Sequence, residues 1–227
     1  MGFDRSAVHF LLSARDVDFS RTGTLGRQGL HISPDQLTGL LAEDAHRFYS
    51  NGAAFCEPLL EFLGASEVVS FDNSDYEGAT VLHDFNQPLP SEHRERFTAF
   101  IEAGSLEHIF NFPQAIANCM EAIAVGGHFI SVAPCNNFCG HGFYQISPEL
   151  FYRVLSPENG FRVRSMMTVP AGGTDFRLVG DPAGQRQELQ LNGPTYLAVL
   201  AQREVVRPIF AKWPQQSDYV AAWSQSK

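Results

Sequence analysis

The chain has 227 residues, enough for one domain with a substantial core. Hydrophobic residues make up 44% of it and charged residues 18%, a globular balance that excludes a disordered chain. Lys and Arg number 16 against 25 Asp and Glu, a formal charge of −9, and no basic run occurs. Nucleic acid and membranes are therefore not expected partners, and a small neutral or cationic ligand suits the charge better.

The chain carries no recognisable export or membrane signal. No segment has the basic-then-apolar order of a signal peptide, and no apolar run approaches the ~20 residues of a membrane span. We therefore expect a cytoplasmic protein with reduced thiols. The cysteines are Cys56, Cys119, Cys135 and Cys139.

The first part of the chain has mainly helical signals. FDRSAVHFLLSARDVDFS predicts an amphipathic leader helix within residues 1–20, and FSRTGTLGRQGLHIS predicts a strand that ends in a glycine turn. The Ser-Pro-Asp triplet at Ser33 is typical of a helix start. LTGLLAEDAHRFYS and CEPLLEFLGA predict two helices, with Gly64 placed to end the second. We expect the segment 33–64 to cover a ligand pocket.

Strands then alternate with helices. EVVSFD and ATVLHDF predict strands with the terminal acids Asp72 and Asp84, and FTAFIEAG predicts a strand that reaches Glu102. FNFPQAIANCMEAIA predicts a helix that Gly126 and Gly127 end, before a strand in HFISVAP. ISPELFYRVLSPENG predicts a proline-started helix, and FRVRSMMTVP and TYLAVLAQREV predict the last strands.

This alternation predicts parallel strands with helices on both faces. Ligands of such sheets bind beyond the carboxyl ends of the strands. Asp72, Asp84 and Glu102 would meet at that edge, so together they indicate a binding site. The alternative is that each acid caps the helix that follows it.

In this order of elements, the stretches TLGRQ, DNSDYEGATVLHDFNQPLP and EAGSLEHIFNFPQAIANCMEAIAVGGHFISVAP resemble the class I S-adenosylmethionine-dependent methyltransferases, in particular a bacterial methyltransferase-like subgroup. The resemblance covers about residues 22–205. It implies a Rossmann-like α/β fold in a single domain over 1–227. The sheet would be seven-stranded and mostly parallel, with helices on both faces and an antiparallel last strand. The implied cofactor is S-adenosylmethionine.

The resemblance also implies roles for individual residues. Asp72 matches the acid that binds both ribose hydroxyls, and Asp84 with Phe85 matches the adenine position. Thr24 stands where the family has an acid, which leaves open how the cofactor's ammonium group is held; Glu102 is one alternative. The positions implied for cofactor binding are Thr24, Gly26, Arg27, Asp72, Asn73, Asp84, Phe85, Glu102, Ala103 and Gly104.

Methyl transfer needs alignment of donor and acceptor, and a base only where the acceptor arrives protonated. Glu107, His108 and His141 are the candidate catalytic residues. His108 could accept a proton from an amine, hydroxyl or carboxyl acceptor. The alternative is that it packs under the cofactor or holds a loop.

The loop CNNFCGHGFYQ, residues 135–145, should border the acceptor pocket. Its candidate substrate-binding residues are Asn136, Asn137, Tyr144 and Gln145. Two alternatives remain: a loop made for packing alone, and a metal site in the C-x3-C-x-H pattern of Cys135, Cys139 and His141. We expect no metal, because a closed zinc site needs a fourth ligand.

The leading functional hypothesis is a methyltransferase that acts on a small molecule or a modified peptide. One alternative is an enzyme with other S-adenosylmethionine chemistry, such as intramolecular cyclisation that releases methylthioadenosine. Another is a non-catalytic binding subunit. No G-x-S-x-G, phosphate-loop or G-x-G-x-x-G pattern occurs. Trp213 and Trp223 could pack on the core or on a second subunit, so a homodimer stays open.

Overall fold

The computed structural model describes residues 2–45 and 55–225. The strands are β1 (Gly2–Phe3), β2 (Arg21–Leu25), β3 (Gly29–Leu30), β4 (Glu67–Asp72), β5 (Val81–Leu82), β6 (Phe97–Ala103), β7 (Ile123–Asn136), β8 (Phe161–Pro170), β9 (Arg177–Leu178) and β10 (Thr195–Arg203). The helices are α1 (Arg5–Ser13), α2 (Pro34–Leu41), α3 (Glu57–Phe62), α4 (Phe112–Ala122), α5 (Pro148–Val154) and α6 (Ser217–Gln225).

The main sheet of this described part has the strand order β5-β4-β2-β6-β7-β10-β8-β9. The strands from β5 to β7 are parallel, and β10 runs antiparallel between β7 and β8. The order reverses between β2 and β6, as in doubly wound sheets. The predicted class I methyltransferase fold is thereby confirmed, with its last strand antiparallel. The sheet differs by one strand, because the short β9 is added at its edge.

Helices cover both faces of the sheet, each over its own hydrophobic cluster. On one face α4 and α5 pack over Phe97, Phe100 and Phe129, all fully buried. On the other face α1, α2 and α3 pack over Ile101 and Ile130. Burial of a side chain of this size stabilises the fold by roughly 1.5–3 kcal/mol, so the two clusters hold the helices against the sheet.

The helix starts follow the sequence signals. Asp4 caps α1 by accepting a hydrogen bond from the Ala7 amide. Ser33 caps α2 in a reciprocal capping box with Gln36. α3 ends before Gly64, whose φ of 107° suits glycine. The end of the helix predicted from LTGLLAEDAHRFYS, residues 46–50, lies outside the described residues.

The prediction that Gly126 and Gly127 end a helix is wrong. α4 already ends at Ala122, and both glycines lie inside β7. There the pairing with β6 shifts register, so β7 carries extra residues. A Cβ at Gly127 would lie 2.9 Å from the carbonyl oxygens of Phe97 and Thr98. The glycine therefore permits close approach of two backbones.

Two other elements differ from expectation. The strand predicted in ATVLHDF is reduced to β5, because the Asp84 carboxylate accepts hydrogen bonds from Asn86 and turns the chain. The polar tail contains α6, and Trp213 and Trp223 are 69% and 54% exposed, so neither is buried in the core. Within the described ranges, no helix is long and apolar enough to cross a membrane.

Gly127→Ala should destabilise the protein by about 1–3 kcal/mol, because the new methyl group meets backbone oxygens that cannot move aside. Gly39→Ala is the matched control, since nothing lies within 4 Å of a Cβ at this position in α2. It should stabilise the protein by roughly 0.5–1 kcal/mol. Urea unfolding of both variants measures the two changes in the free energy of unfolding. If both variants were more stable than wild type, the close backbone approach at Gly127 would be contradicted.

Candidate functional site

The described part of the chain has two cavities at the carboxyl ends of the strands, near the reversal in strand order. The first, about 210 Å³, is the Asp72 cavity. The predicted residues that line it are Gly26, Asp72, Asn73, Asp84, Phe85 and His108. The second, about 280 Å³, is the Glu107 cavity. The predicted residues that line it are Ala103, Gly104, Glu107 and His141.

The turn after β2 forms one wall of the Asp72 cavity. Gly26 has a φ of 75°, and its amide donates to the Phe71 carbonyl over 2.7 Å. The Thr24 hydroxyl donates to the Gly26 carbonyl over 2.9 Å. Thr24 is 1% exposed and lines neither cavity. Thr24 therefore stabilises the turn, and Gly26 lies at the surface of the cavity.

The two acids of the Asp72 cavity sit in tight local turns. An Asp72 carboxylate oxygen accepts from the Ser74 amide over 3.1 Å. An Asp84 carboxylate oxygen accepts from the Asn86 amide and side chain over 2.9 and 2.7 Å. These bonds lower the pKa of Asp84, so this carboxyl group is ionised at neutral pH.

Phe85 is 2% exposed and lies edge-on to Phe71, with ring centroids 5.7 Å apart, so it offers the cavity only a small part of its ring. Sequence reasoning missed several other lining residues. Each follows a strand end, but none stands out in the sequence from ordinary loop residues: His83, Asn86, Ser105 and Ile109.

Arg27 lines neither cavity. Its Nε lies 2.6 Å from Glu57 Oε1 at the start of α3, and Nη1 donates to the Glu77 carbonyl over 2.9 Å. Its guanidinium also lies 4.0 Å from the centre of the Phe55 ring. Arg27 therefore joins α3 to the loop after β4, beside the Asp72 cavity.

Glu102 is completely buried and lines neither cavity. One oxygen accepts from the Ser131 hydroxyl, and the other accepts from the amides of Ser105 and Leu106 over 3.2 and 3.4 Å. Burial raises the pKa of Glu102 to about 7, against the opposing effect of these bonds. Its contacts are those of a group that fixes the turn after β6.

That turn is a short 3-10 helix, Leu106–His108, which carries Glu107 and His108. Glu107 Oε1 lies 3.8 Å from His108 Nε2 and 3.4 Å from His141 Nε2. The structure thus joins all three predicted catalytic residues in one group, the Glu107 cluster. His108 faces the Asp72 cavity, whereas Glu107 and His141 face the Glu107 cavity.

The electrostatics of the Glu107 cluster follow from burial. Glu107 is 0% exposed. Desolvation, then the charge of Glu102, raises the pKa of Glu107 to about 8. Desolvation, then the proximity of His141, lowers the pKa of His108. At neutral pH His108 is therefore a neutral imidazole, able to accept a proton or bind a metal.

Three of the four predicted substrate-binding residues make hydrogen bonds that hold the loop 135–145 in place. Asn136 donates to the carbonyls of Leu191 and Gly193, and Tyr144 donates to that of Phe110. Gln145 accepts from the Phe138 amide. None of these three lines either cavity, nor does Asn137, which occupies a turn with φ 58°. The loop presents His141 to the site instead.

The cysteines of the C-x3-C-x-H pattern do not join His141 among the described residues. Cys139 is exposed and lies 3.8 Å from Gln145 Nε2. Burial raises the pKa of Cys135 to about 11, so its thiol stays protonated.

Distant segments complete the Glu107 cavity. Asp4 from the start of α1, His31 after β3 and Tyr196 from β10 all line it. No local pattern marks these residues, because only the fold brings together segments that are far apart in the chain. The described residues of the segment 33–64 line neither cavity.

Comparisons with known proteins bear on the fold alone. No family model and no curated protein matches the chain. A branched-chain polyamine synthase from Thermus thermophilus, solved with N4-aminopropylspermidine and 5'-methylthioadenosine, is 16% identical, with a TM-score of 0.47 over 94% of this chain and 59% of that one. A putative methyltransferase from Bacillus halodurans is 14% identical, with a TM-score of 0.47 over 88% of this chain and 100% of that one.

The N-methyltransferase NodS from Bradyrhizobium japonicum, solved with S-adenosyl-L-homocysteine, is 12% identical, with a TM-score of 0.47 over 87% of this chain and 85% of that one. The present chain thus spans 59% of the length of the polyamine synthase. The order and direction of the strands, together with the cavity at the reversal in order, define a Rossmann-like protein of the class I methyltransferase fold.

Glu102→Gln should make the protein more stable than wild type above pH 7 and nearly equal to it below pH 4.5. The folded-state pKa of about 7 exceeds the ordinary 4.5, so wild type loses stability as pH rises between these values. A neutral amide avoids that loss, which amounts to about 3 kcal/mol at 1.36 kcal/mol per pKa unit. Urea unfolding at pH 5 and pH 8 measures it.

The control for this pH dependence is Glu188→Gln, which removes an exposed carboxylate. Its stability difference from wild type should not change between the two pH values. If the Glu102→Gln difference were equally flat, Glu102 would be ionised in the folded protein at both pH values.

Proposed function

We propose that this protein is an S-adenosylmethionine-dependent methyltransferase acting on a small molecule or a modified peptide. The observation that carries the proposal is the Asp72 cavity, at the reversal of strand order in a class I methyltransferase sheet. Gly26 and two acids, Asp72 and Asp84, line it.

Asp72 suits the ribose of the cofactor. A carboxylate can accept two hydrogen bonds from a vicinal diol, and the Ser74 amide already orients the Asp72 side chain. Asp84, ionised and held by Asn86, suits the exocyclic amine of adenine. Ile109 adds an apolar surface against which a base can pack.

The methionine end of the cofactor would extend toward the Glu107 cavity. Thr24 is buried, and Glu102 is buried with its oxygens already hydrogen-bonded, so neither suits the ammonium group. Asp4 and Glu107 are the acidic residues that line the Glu107 cavity, and because burial raises the pKa of Glu107 to about 8, Asp4 is the better charged partner at neutral pH. Asp4 already accepts from the amides of Ala7 and Gly172, but a carboxylate has further lone pairs for a cation.

The Glu107 cavity is the proposed place of the acceptor. Its volume of about 280 Å³ suits a small molecule or a single side chain. Because the Glu107 cluster borders both cavities, donor and acceptor would meet there. Transfer then depends mainly on alignment of the nucleophile with the methyl group. His108, neutral at pH 7, is the candidate base for a protonated acceptor.

Asp72→Ala should weaken binding of S-adenosylmethionine and S-adenosylhomocysteine by about 10–100-fold, because hydrogen bonds to a charged group are worth about 1.5–3 kcal/mol. Isothermal titration measures both affinities. Asp75→Ala is the matched control: it removes an exposed acid in the same loop that lines neither cavity, and it should bind like wild type. Absence of binding by the wild-type protein at millimolar ligand would reject the proposal.

Analysis of the products identifies the chemistry. Wild-type protein with methyl-labelled S-adenosylmethionine and a pool of amines, alcohols and carboxylic acids should release S-adenosylhomocysteine and a labelled acceptor. Release of methylthioadenosine without S-adenosylhomocysteine would instead show that the cofactor itself is cleaved. Cofactor binding without either product in any pool would favour a binding subunit.

A further inference from the structure

We propose that Glu107, His108 and His141 form a binding site for a divalent first-row transition metal ion. Their ligand atoms lie within 4.8 Å of one another. Two imidazole nitrogens and a carboxylate oxygen make a donor set that suits Zn²⁺, Fe²⁺, Mn²⁺ or Co²⁺ better than Mg²⁺ or Ca²⁺.

Two of the three separations between ligand atoms need only a small adjustment to hold an ion, whereas the whole group spans up to 4.8 Å, so the two imidazoles must also move closer together. With metal–ligand bonds of about 2.1 Å, two ligands on one tetrahedral or octahedral ion lie about 3.0–3.5 Å apart. The separation of His141 Nε2 from Glu107 Oε1 is 3.4 Å, and that of His108 Nε2 from the same oxygen is 3.8 Å. Both histidine side chains are partly exposed, so their rings can turn toward a common centre.

The Glu107 carboxylate supplies a second, independent observation. The residue is 0% exposed, yet neither oxygen accepts a hydrogen bond from the described residues. A buried carboxyl group without hydrogen-bond partners is unfavourable in either protonation state, and a cation or a donor that reaches it removes this cost. An ion between the two imidazoles would satisfy it.

A proton-sharing arrangement explains the geometry less well. Hydrogen bonds between a ring nitrogen and a carboxylate usually measure about 2.7–3.2 Å, and both separations here are longer. The separation of 3.4 Å between His141 Nε2 and Glu107 Oε1 matches that of two ligands on one metal ion.

Two glycines allow the surrounding backbone to lie close to the Glu107 side chain. A Cβ at Gly142 would lie 2.7 Å from Glu107 Cγ, and one at Gly104 would lie 3.4 Å from Glu107 Oε1. The Phe143 amide also donates to the Glu107 carbonyl over 2.7 Å. These contacts bring His141 onto the turn that carries Glu107 and His108.

Three protein ligands leave coordination positions open to the Glu107 cavity. A hydroxyl group of a ligand could bind there, become more acidic and release its proton to solvent, in which case the ion would replace His108 as the agent that deprotonates the acceptor. This last step rests on the proposed function, whereas binding of the ion does not. The test therefore uses metal ions alone, without S-adenosylmethionine, so its result is separate from that of the cofactor titrations.

The experiment is titration of the full chain, first stripped with a chelator, with Co²⁺ and Zn²⁺. Wild type should bind one equivalent of metal ion, and its Tm should rise. Binding is measured by the visible absorption of Co²⁺ and by calorimetry. His141→Ala and Glu107→Gln should each weaken binding by at least about 100-fold. Loss of a residue that only supports a metal ligand usually weakens metal binding by about 10–100-fold. His141 is half-exposed, so His141→Ala should fold even if Glu107→Gln does not.

Cys139→Ser is the matched control, because it changes the same loop and removes a thiol that lies outside the Glu107 cluster. It should bind Co²⁺ like wild type. The proposal is overturned if wild type binds neither ion at millimolar concentration, or if His141→Ala binds as tightly as wild type. An intense thiolate-to-cobalt band that Cys139→Ser removes would also overturn it, since it would assign the ion to the cysteines.

Discussion

The site depends on the buried turn after β6, which hydrogen bonds tie to the strands on both sides. Glu102 accepts from Ser131 in β7 and from the amide of Ser105, and the Ser105 hydroxyl donates to the Leu25 carbonyl at the end of β2 over 2.7 Å. Because the turn is held from both sides, Glu107 and His108 point to fixed places. Both cavities take a wall from this turn.

Keeping two carboxyl groups in this interior has an energetic cost. Desolvation raises the pKa of Glu102 and of Glu107, so each favours its neutral form more than an exposed carboxyl group does. Glu102 offsets part of the cost through its hydrogen bonds, whereas Glu107 has no such partner among the described residues. The difference separates a structural acid from one available to a ligand. Strongly perturbed groups of the second kind gather at functional sites.

Glycines set the distances between segments that meet at the site. At Gly26 a left-handed turn opens the Asp72 cavity, and at Gly142 the absence of a side chain lets the loop 135–145 rest on Glu107. Gly127 serves the sheet in the same way, where β7 bulges against β6. At Gly142 and Gly127 the neighbour is backbone or a buried side chain, so the requirement is steric, whereas at Gly26 it is the left-handed φ of 75° that favours glycine.

Local sequence patterns determined the elements and the edge of the sheet at which ligands bind. The alternation of strands and helices, the cap at Ser33, and the positions of Asp72 and Asp84 near the ends of their strands could all be predicted, because each depends on residues within a few positions. Tertiary structure alone decided which polar groups meet. His141 lies 33 residues after His108 in the chain, and Tyr196 lies 192 residues after Asp4. Tertiary structure also decided that Glu102, Arg27 and Asn136 lie outside the cavities. Their side chains bond to residues distant in the chain, and no local pattern records that packing.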